Sequence, residues 1–405
     1  MVIHPLIKLA ISAFASVVAV HWIYMKVLKI AKLKDLVDNP DARKLQKSPV
    51  PVLGGLAVFF GLLIGSLCFA ALNGGLVGHL PAMLAASVML YVGMMDDMLG
   101  LSPISRLLIE ILAVTGMIFA SGLCVDSLHG LWGIGQFSWW IAVPLTVFAG
   151  VGLINAYNMV DGVNGLSSGL CIACSIMLSV VFWKRSDIVD CALALCFGAS
   201  LFPFFLHNVF GDRSRMFIGD AGTMVMGMLV SWFMIRVLSS KNPYMYSDGD
   251  HVCLVAMMIA IASVPVFDTL RVMAGRMFRG ESPFHADKTH LHHIFISLGV
   301  SHSITALSEI LMDIAVAAIW FVTFKCGLGV DAQFYITIAT AVILVWGTYF
   351  FLRYQEKHDT KALHALQRFS VRTHLGHKSW WLDFQRKLDK GAYETPFEPE
   401  EEDLD

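Results

Sequence analysis

Eleven stretches of about 15 to 22 mostly apolar residues recur along this 405-residue chain. A helix of about 20 apolar residues is long enough to cross the hydrocarbon core of a bilayer. Since the chain is 57% hydrophobic and only 15% charged, the pattern predicts an all-α, polytopic integral membrane protein with about eleven transmembrane helices. The predicted spans are Leu6–Tyr24, Val52–Leu72, Leu80–Met95, Leu107–Leu123, Trp139–Val160, Leu166–Trp183, Ile188–Leu206, Met224–Leu238, Val252–Leu270, Ile304–Phe324 and Phe334–Leu352.

Most of the 29 lysines and arginines fall on one side of this eleven-span arrangement. They collect after the first span, after the ninth span and in the polar segment that follows the last span. Short cytoplasmic connections carry an excess of Lys and Arg, so the pattern predicts an external N-terminus and a cytoplasmic C-terminus. Residues 1–352 are expected to form the transmembrane domain, and residues 353–405 a cytoplasmic tail. The formal net charge of −2 gives no indication of a nucleic-acid partner.

Polar side chains recur every third residue at the end of the fifth span, as Asn155, Asn158 and Asp161. In a helix this spacing places them roughly along one face. Gly162 and Gly165 follow and let the backbone turn or approach a ligand. The segment predicts either a phosphate- or metal-binding site on a helix end or a polar turn at the membrane interface.

Three further carboxylates border apolar sequence. Asp96 and Asp97 follow the third span, where an ionised carboxylate at membrane depth costs about 2.5–3.5 kcal/mol and needs compensation. One of them could act as a base, or the pair could cap a helix. Asp220 lies where the eighth span is predicted to begin and, with Asp161 or Asn158, offers the oxygen ligands that Mg²⁺ prefers. A simple helix N-cap is the alternative for Asp220.

The connection after the ninth span is the densest polar segment of the chain. Basic groups and histidines around anionic oxygens suit phosphate binding. The spacing of the histidines fits a structural zinc site poorly. The third interpretation of this connection is a solvated loop without a ligand. Lys47, just before the second span, could contact a lipid phosphate or serve only as a topology signal. The candidates in the connection are Arg279, His285, His290, His292 and His293.

All these clusters fall on the predicted cytoplasmic face, a combination that suits a magnesium-bound diphosphate meeting a lipid-borne phosphate. At these residues the chain resembles the polyprenyl-phosphate N-acetylhexosamine-1-phosphate transferases. The resemblance covers the pattern of spans and does not extend beyond Arg353. Its four motifs are, in order, Asp96-Asp97, Asn155–Gly165, Gly219-Asp220-Ala221-Gly222 and Ser282–His293.

The resemblance implies that undecaprenyl phosphate attacks the sugar-linked phosphorus of UDP-GlcNAc and that UMP leaves. It implies a bacterial inner-membrane enzyme with a cytoplasmic-face active site in residues 1–352 and a periplasmic N-terminus. The reaction would initiate a surface glycan of the O-antigen or enterobacterial-common-antigen type. Mg²⁺ is the expected cofactor, with Mn²⁺ as a substitute, and the partners are the two substrates, membrane lipids and, as an open possibility, a second copy of the chain.

The resemblance also implies roles for individual residues. Asp220 would be the main metal ligand, helped by Asn158 or Asp161, and Asp161 is also an expected catalytic residue. Asp96 and Asp97 would orient or deprotonate the lipid phosphate. Phe217 would stack on the uracil. The remaining expected substrate-binding residues are Lys47, Asn155, Asn164, Arg279, His285, His290, His292 and His293.

One position departs from the family pattern, because Asn164 stands where a second aspartate is usual. Asparagine keeps a carbonyl oxygen but loses the charge, which puts an anionic role at this position in doubt. Within the family, the alternatives are another UDP-N-acetylhexosamine or a phospho-MurNAc-pentapeptide donor. A transporter or flippase is the alternative from a different class, although such proteins place their acidic residues nearer the bilayer midplane.

Overall fold

The computed structural model describes residues 4–38, 49–75, 77–245, 251–282, 289–358, 360–372 and 379–392. Within these ranges the chain is almost entirely helical, as the sequence predicts. The helices are α1 (Pro5–Leu33), α2 (Gly54–Asn73), α3 (Leu80–Leu99), α4 (Pro103–Ser121), α5 (Trp139–Met159), α6 (Leu166–Lys184), α7 (Ile188–Phe210), α8 (Gly219–Leu238), α9 (Leu254–Ile261), α10 (Ser263–Phe278), α11 (Leu291–Ser297), α12 (His302–Lys325), α13 (Val330–Ala341), α14 (Thr348–His358), α15 (Lys361–Arg372) and α16 (Ser379–Asp389).

Ten of the described helices are long and apolar enough to cross a membrane, with Val330–His358 counted as one. In that last span a π-helical segment, Val342–Gly347, joins α13 to α14. The bent pair α9 and α10 makes an eleventh candidate. Each predicted span therefore has one counterpart, and the prediction of about eleven transmembrane helices is confirmed.

The ninth span is broken, with α9 and α10 meeting at an angle of 79°. Pro265 lies in the first turn of α10 and has no N–H to continue the α9 hydrogen-bond ladder. Asp313 on α12 supplies a hydrogen-bond acceptor at the break. Its Oδ1 atom accepts from the Val264 N–H at 3.0 Å and from the Ser263 hydroxyl at 2.8 Å. The break is thus held by a carboxylate from a neighbouring helix.

Helix α8 is the centre of the bundle, because 94% of its apolar window is buried. Helices α2, α3 and α5 pack around it. Gly93 on α3 permits a close approach, since a Cβ atom there would lie 2.4 Å from the Ala221 Cα. Small residues at such contacts let membrane helices meet backbone to backbone. The end of α3, with its two aspartates, is therefore fixed beside the start of α8.

A small hairpin lies beside the same end of α8. Strands β1 (Val37–Asp38) and β2 (Val50–Pro51) pair antiparallel. The segment then continues along the residues that precede α8: the Phe217 N–H donates to the Pro51 carbonyl at 2.8 Å, and the Gly54 N–H donates to the Phe217 carbonyl at 2.9 Å. These contacts place Phe217 between the start of α2 and the start of α8.

Several element ends differ from the predicted ones. Helix α1 runs to Leu33 instead of ending at Tyr24, and Asp96 and Asp97 lie within α3 rather than after it. Helix α14 passes through Arg353, so the predicted boundary between residues 352 and 353 falls inside a helix. Polar residues extend these helices beyond the apolar core because hydrogen bonding within a helix does not stop where hydrophobicity does. The division into a catalytic domain and a tail stays a prediction.

Candidate active site

A cavity of about 1430 Å³ opens at one end of the bundle, where α3, α5 and α7 end and α8 and α12 begin. It brings together side chains from all the described polar motifs. The predicted site residues that line it are Asp96, Asp97, Asn158, Asp161, Asn164, Phe217, Asp220, His292 and His293. Residues separated by up to about 200 positions in sequence thus share one space, as the prediction of a single site requires.

Asp97 fastens α3 to the N-terminus of α8. Its carboxylate oxygens accept from the Asp220 N–H at 2.9 Å and from the Ala221 N–H at 3.1 Å. The preceding residue, Gly219, has a φ of +71°, and a Cβ atom there would lie 2.5 Å from the Asp97 Oδ2. A helix N-terminus favours a negative charge. Both oxygens of Asp97 are therefore engaged by backbone donors, which favours an orienting role over proton abstraction.

Asp220 and Asn158 form a direct side-chain pair. The Asn158 Nδ2 atom donates to the Asp220 Oδ1 at 2.5 Å and to the Thr223 hydroxyl at 2.8 Å. The Asn158 Oδ1 accepts from Arg106 at 3.3 Å. The Asp220 carboxyl group also lies close enough to that of Asp96 to interact with it. The start of α8 thus presents several oxygen atoms to one point of the cavity.

Arg106, at the start of α4, brings a positive charge to this cluster, and none of the sequence motifs predicted it. Its guanidinium donates to the Asp96 carboxylate at 3.0 Å and lies 3.5 Å from that of Glu110. Glu110 is itself buried and accepts from the Asn155 amide at 2.5 Å. Asn155 therefore lies behind the cavity and supports the charge network rather than lining the wall. The sequence does contain an indication of this ion pair, because Arg106 and Glu110 are four residues apart at the edge of an apolar run.

Asp161 follows α5 and faces the cavity beside the start of α6. Its carboxylate accepts from the Ser167 hydroxyl at 2.5 Å. Burial raises the pKa of Asp161 to about 6, the charge of Asp220 adds to the rise, and the Ser167 hydrogen bond opposes it. A carboxylate with a pKa close to neutral can both accept and release a proton at physiological pH, which suits a general base.

The histidines divide into two groups. His292 and His293 line the cavity, with ring centroids 4.4 Å apart. Burial lowers the pKa of His292 well below its ordinary value, and the neighbouring histidines lower it further. His292 is therefore neutral at pH 7, and its buried Nδ1 atom has no hydrogen-bond partner among the described residues. A neutral imidazole can donate or accept a hydrogen bond towards a ligand.

His290 lies behind these two rings instead of on the wall. Its Nδ1 atom is 2.8 Å from the carboxylate of Asp268 on α10, and its ring stacks on His292 with centroids 5.6 Å apart. Asp268 also accepts from the Leu291 N–H at 3.1 Å and binds Arg271. This arrangement fixes the start of α11, so His290 positions the other two histidines. Sequence spacing could not reveal Asp268, which comes from the bent helix 22 residues earlier.

The remaining predicted residues lie elsewhere. Arg279 follows α10 and pairs with Glu281 at 2.9 Å, and both side chains are more than 40% exposed. Asn164 is on the wall, where its backbone N–H lies 3.5 Å from the His302 Nδ1. Lys47 and His285 lie outside the described residues. The substrate-binding roles of these four residues stay predictions.

The oxygen donors of this cluster suit an open site for the predicted magnesium ion better than a closed cage. Among the described residues, no three His, Cys, Asp or Glu side chains form a ready metal cage. Mg²⁺ at phosphate sites usually takes one or two carboxylates and completes its shell with water and phosphate oxygens. Asp220 with Asn158, beside Asp96, fits such an open site. The donor set is thus compatible with Mg²⁺, or with Mn²⁺ through the same oxygen chemistry, and the ion stays a prediction.

Comparison with known proteins agrees with this geometry. The profile of glycosyl transferase family 4 matches residues 79–238, which include α3 to α8. An undecaprenyl-phosphate alpha-N-acetylglucosaminyl 1-phosphate transferase of Salmonella typhi is 29% identical over 329 residues, covering 78% of this chain and 82% of its own length. The protein of the same name from Yersinia pestis is 30% identical over 283 residues, covering 67% and 72%.

A third relative shows a similar degree of identity. The probable undecaprenyl-phosphate N-acetylglucosaminyl 1-phosphate transferase of Bacillus subtilis is 29% identical over 303 residues, which cover 75% of this chain and 81% of the relative. The family profile includes the carboxylate motifs of the cavity, and these three relatives align with 67% to 78% of the chain. This multi-pass membrane protein therefore belongs to glycosyl transferase family 4, the polyprenyl-phosphate N-acetylhexosamine-1-phosphate transferases.

Proposed function

We propose that this protein transfers GlcNAc-1-phosphate from UDP-GlcNAc to undecaprenyl phosphate and releases UMP. The observation that carries the proposal is the cavity at one end of the helix bundle, which four carboxylates and two histidines line. The carboxylates are Asp96, Asp97, Asp161 and Asp220, and Arg106 binds Asp96 from beside the cavity. The names of the relatives support the acceptor and the sugar. The proposal includes a cytoplasmic-face site in a bacterial inner membrane, a periplasmic N-terminus and a role in starting a surface glycan.

In the proposed reaction an oxygen of undecaprenyl phosphate attacks the sugar-linked phosphorus of the donor. The new P–O bond forms as the bond to the UMP oxygen breaks, and UMP leaves with that electron pair. Such phosphoryl transfer depends mostly on positioning and charge neutralisation. Magnesium, when bound, would neutralise the diphosphate and would be held by Asp220 and Asn158.

The chain's own residues supply the remaining tasks in this proposal. Asp161 takes a proton from the lipid phosphate when that phosphate arrives protonated. Arg106 holds Asp96 in place and limits the repulsion among the carboxylates. Neutral His292 and neighbouring His293 donate hydrogen bonds to phosphate oxygens, and Phe217 offers its ring to the base. Asp97 keeps α3 and α8 in register, so that Asp96 and Asp220 face the same point.

A membrane assay tests the reaction. Membranes containing the protein receive radiolabelled UDP-GlcNAc, undecaprenyl phosphate and Mg²⁺, and both lipid-linked label and UMP are measured. The proposal expects equal amounts of the two products and their loss with EDTA. Lipid-linked label from another UDP-N-acetylhexosamine but not from UDP-GlcNAc would overturn the choice of sugar. Movement of label across vesicles without UMP release would indicate a transporter instead.

Replacing Ser167 by alanine is expected to move the acidic limb of the pH–activity profile upwards. The wild-type limb should have its midpoint near pH 6, because Asp161 has a pKa of about 6 and must lose its proton to act as a base. Loss of a hydrogen bond to a charged group costs about 1.5–3 kcal/mol. For the ionised Asp161 carboxylate this corresponds to a rise in pKa of about one unit or more. The measurement is initial rate against pH at saturating substrates.

Ser168→Ala is the matched control, because the neighbouring hydroxyl is equally buried but has no hydrogen-bond partner among the described residues. Its profile should coincide with that of the wild type. An unshifted limb in Ser167→Ala would remove Asp161 from the proton transfer.

Replacing Asn164 by aspartate is expected to leave turnover within about tenfold of wild type. Asn164 lines the cavity, but among the described residues its hydrogen bond there comes from the backbone, whose N–H lies 3.5 Å from the His302 Nδ1. The change therefore adds charge without breaking a side-chain contact of the catalytic cluster. A gain above about a hundredfold would contradict the proposed function, because it would mark this chain as a damaged or repurposed member of its family.

A further inference from the structure

The C-terminal helix α16 has a single face turned towards the protein. Its less exposed positions recur every three or four residues, as expected of a helix docked along one side. The opposite side includes Trp380, which is 56% exposed. The positions turned inwards are Trp381, Phe384, Gln385, Leu388, Asp389 and, just after the helix, Ala392.

Polar and aromatic contacts fix this helix to the last residue of α7 and to the segment that follows it. Asp389 is 2% exposed, and its Oδ1 atom accepts from the Ser214 N–H at 2.9 Å and from the Ser214 hydroxyl at 2.6 Å. The ring of Phe210 lies 4.8 Å from that of Trp381 and 5.7 Å from that of Phe384, measured between centroids. A buried carboxylate at one end and packed rings at the other define both the position and the rotation of α16.

Docked in this way, α16 forms part of the cavity wall. Trp381 and Gln385, one helical turn apart, line the same cavity as Asp220. Arg215, which also lines it, donates to the Gly211 carbonyl at 2.8 Å. The Arg215 Nε atom is buried without a hydrogen-bond partner among the described residues. An indole, a carboxamide and a guanidinium with a spare donor thus border the same space.

The location of this wall indicates which substrate reaches it. Residues 211–215 lie between the last turn of α7 and the start of α8, outside the membrane-spanning helices. This side of the cavity therefore lies beyond the helix ends, where the sequence predicts the cytoplasmic face. A sugar nucleotide arrives from water, whereas a polyprenyl chain has to stay in the bilayer. An aromatic face stacks on a nucleobase, while carboxamide and guanidinium groups bind its edges and phosphates.

We propose that α16 is the donor-side wall of the active site and that Trp381 and Gln385 contact the bound UDP-sugar. This inference rests on the proposed function and adds to it a substrate contact from a segment outside the family profile, which ends at residue 238. Asp389 and Phe384 act as positioning residues that hold the wall in place.

Steady-state kinetics of the full-length protein test the inference, with donor and acceptor varied separately. Trp381→Ala should raise the KM for UDP-GlcNAc about tenfold, the size expected for one base–aromatic stack. Its KM for undecaprenyl phosphate should stay within about twofold of wild type. Asp389→Ala should raise the same donor KM, and the double variant should resemble the worse single variant because both remove one wall. Trp380→Ala, which changes the adjacent exposed indole, should behave as wild type.

Equilibrium binding of UDP-GlcNAc without acceptor should show the same ratio between Trp381→Ala and wild type. A wild-type donor KM in both Trp381→Ala and Asp389→Ala would overturn the inference, as would a rise confined to the acceptor KM. An equal rise in Trp380→Ala would also overturn it, since it would indicate a general disturbance of the helix. Failure of the wild-type protein to make lipid-linked product would instead refute the proposed function itself.

Discussion

Replacing Asp220 by asparagine is expected to lower turnover by about a thousandfold, because Asp220 is the proposed carboxylate ligand of the magnesium ion that would neutralise the reacting phosphates. Asp220 lies at the start of the central helix α8, pairs with Asn158 at 2.5 Å and lies close to Asp96. Asparagine has the same size and keeps one oxygen, so the packing around α8 should survive. Rates of lipid-linked product formation, per amount of membrane-inserted protein, give the measurement.

The control for Asp220→Asn is Glu356→Gln, an equivalent loss of charge in an exposed ion pair with Arg353. Surface ion pairs contribute about 0–1 kcal/mol to stability, so this variant should keep wild-type turnover. Thermal unfolding in detergent then shows whether Asp220→Asn remains folded. A folded Asp220→Asn protein with near-normal turnover would exclude Asp220 from the mechanism.

Replacing Arg106 by alanine is expected to lower kcat/KM by about a hundredfold. The guanidinium binds Asp96 and lies against Glu110 and Asn158, so its loss leaves neighbouring carboxylates without their cation. Arg106 is 22% exposed and Glu110 only 1%. Breaking such a mostly buried pair should also reduce the free energy of unfolding by about 2–3 kcal/mol. Both quantities are measurable on purified protein.

Arg106→Lys separates charge from geometry. Lysine keeps the positive charge but cannot reach several acceptors in one plane, so activity should recover only in part. Arg353→Ala, which removes an exposed arginine, should leave kcat/KM unchanged. If Arg106→Ala loses stability while kcat/KM per folded molecule stays at the wild-type value, Arg106 is a structural residue alone.

The sequence was sufficient for the arrangement of the membrane spans, because hydrocarbon thickness and backbone hydrogen bonding leave few alternatives for long apolar runs. It was also sufficient to group the carboxylates, since Lys and Arg placement assigns each helix end to a membrane face. Asp96, Asn158 and Asp220 accordingly line one cavity. Because successive spans cross the membrane in opposite directions, the ends of α3 and α5 lie on the same face as the start of α8.

The contacts that organise those groups could not be predicted in the same way. In the sequence Arg106 is a single basic residue before an apolar span, and the packing of α4 against α3 and α5 shows that it bridges two motifs. Asp268 reaches His290 because the ninth span is bent at Pro265. A hydropathy pattern cannot predict the angle of such a bend. The docking of α16 depends on Asp389 meeting Ser214, 175 residues away. Side-chain pairs of this range follow from tertiary packing and not from periodicity.

The attachment of Asp97 to the first amides of α8 has a consequence for motion at this end of the bundle. Because one carboxylate ties α3 to α8, the two helix ends that carry Asp96 and Asp220 are expected to move as one rigid unit. The hairpin before α2 and helix α16 border this unit without belonging to it, so a change of shape on substrate binding is expected in these peripheral parts first.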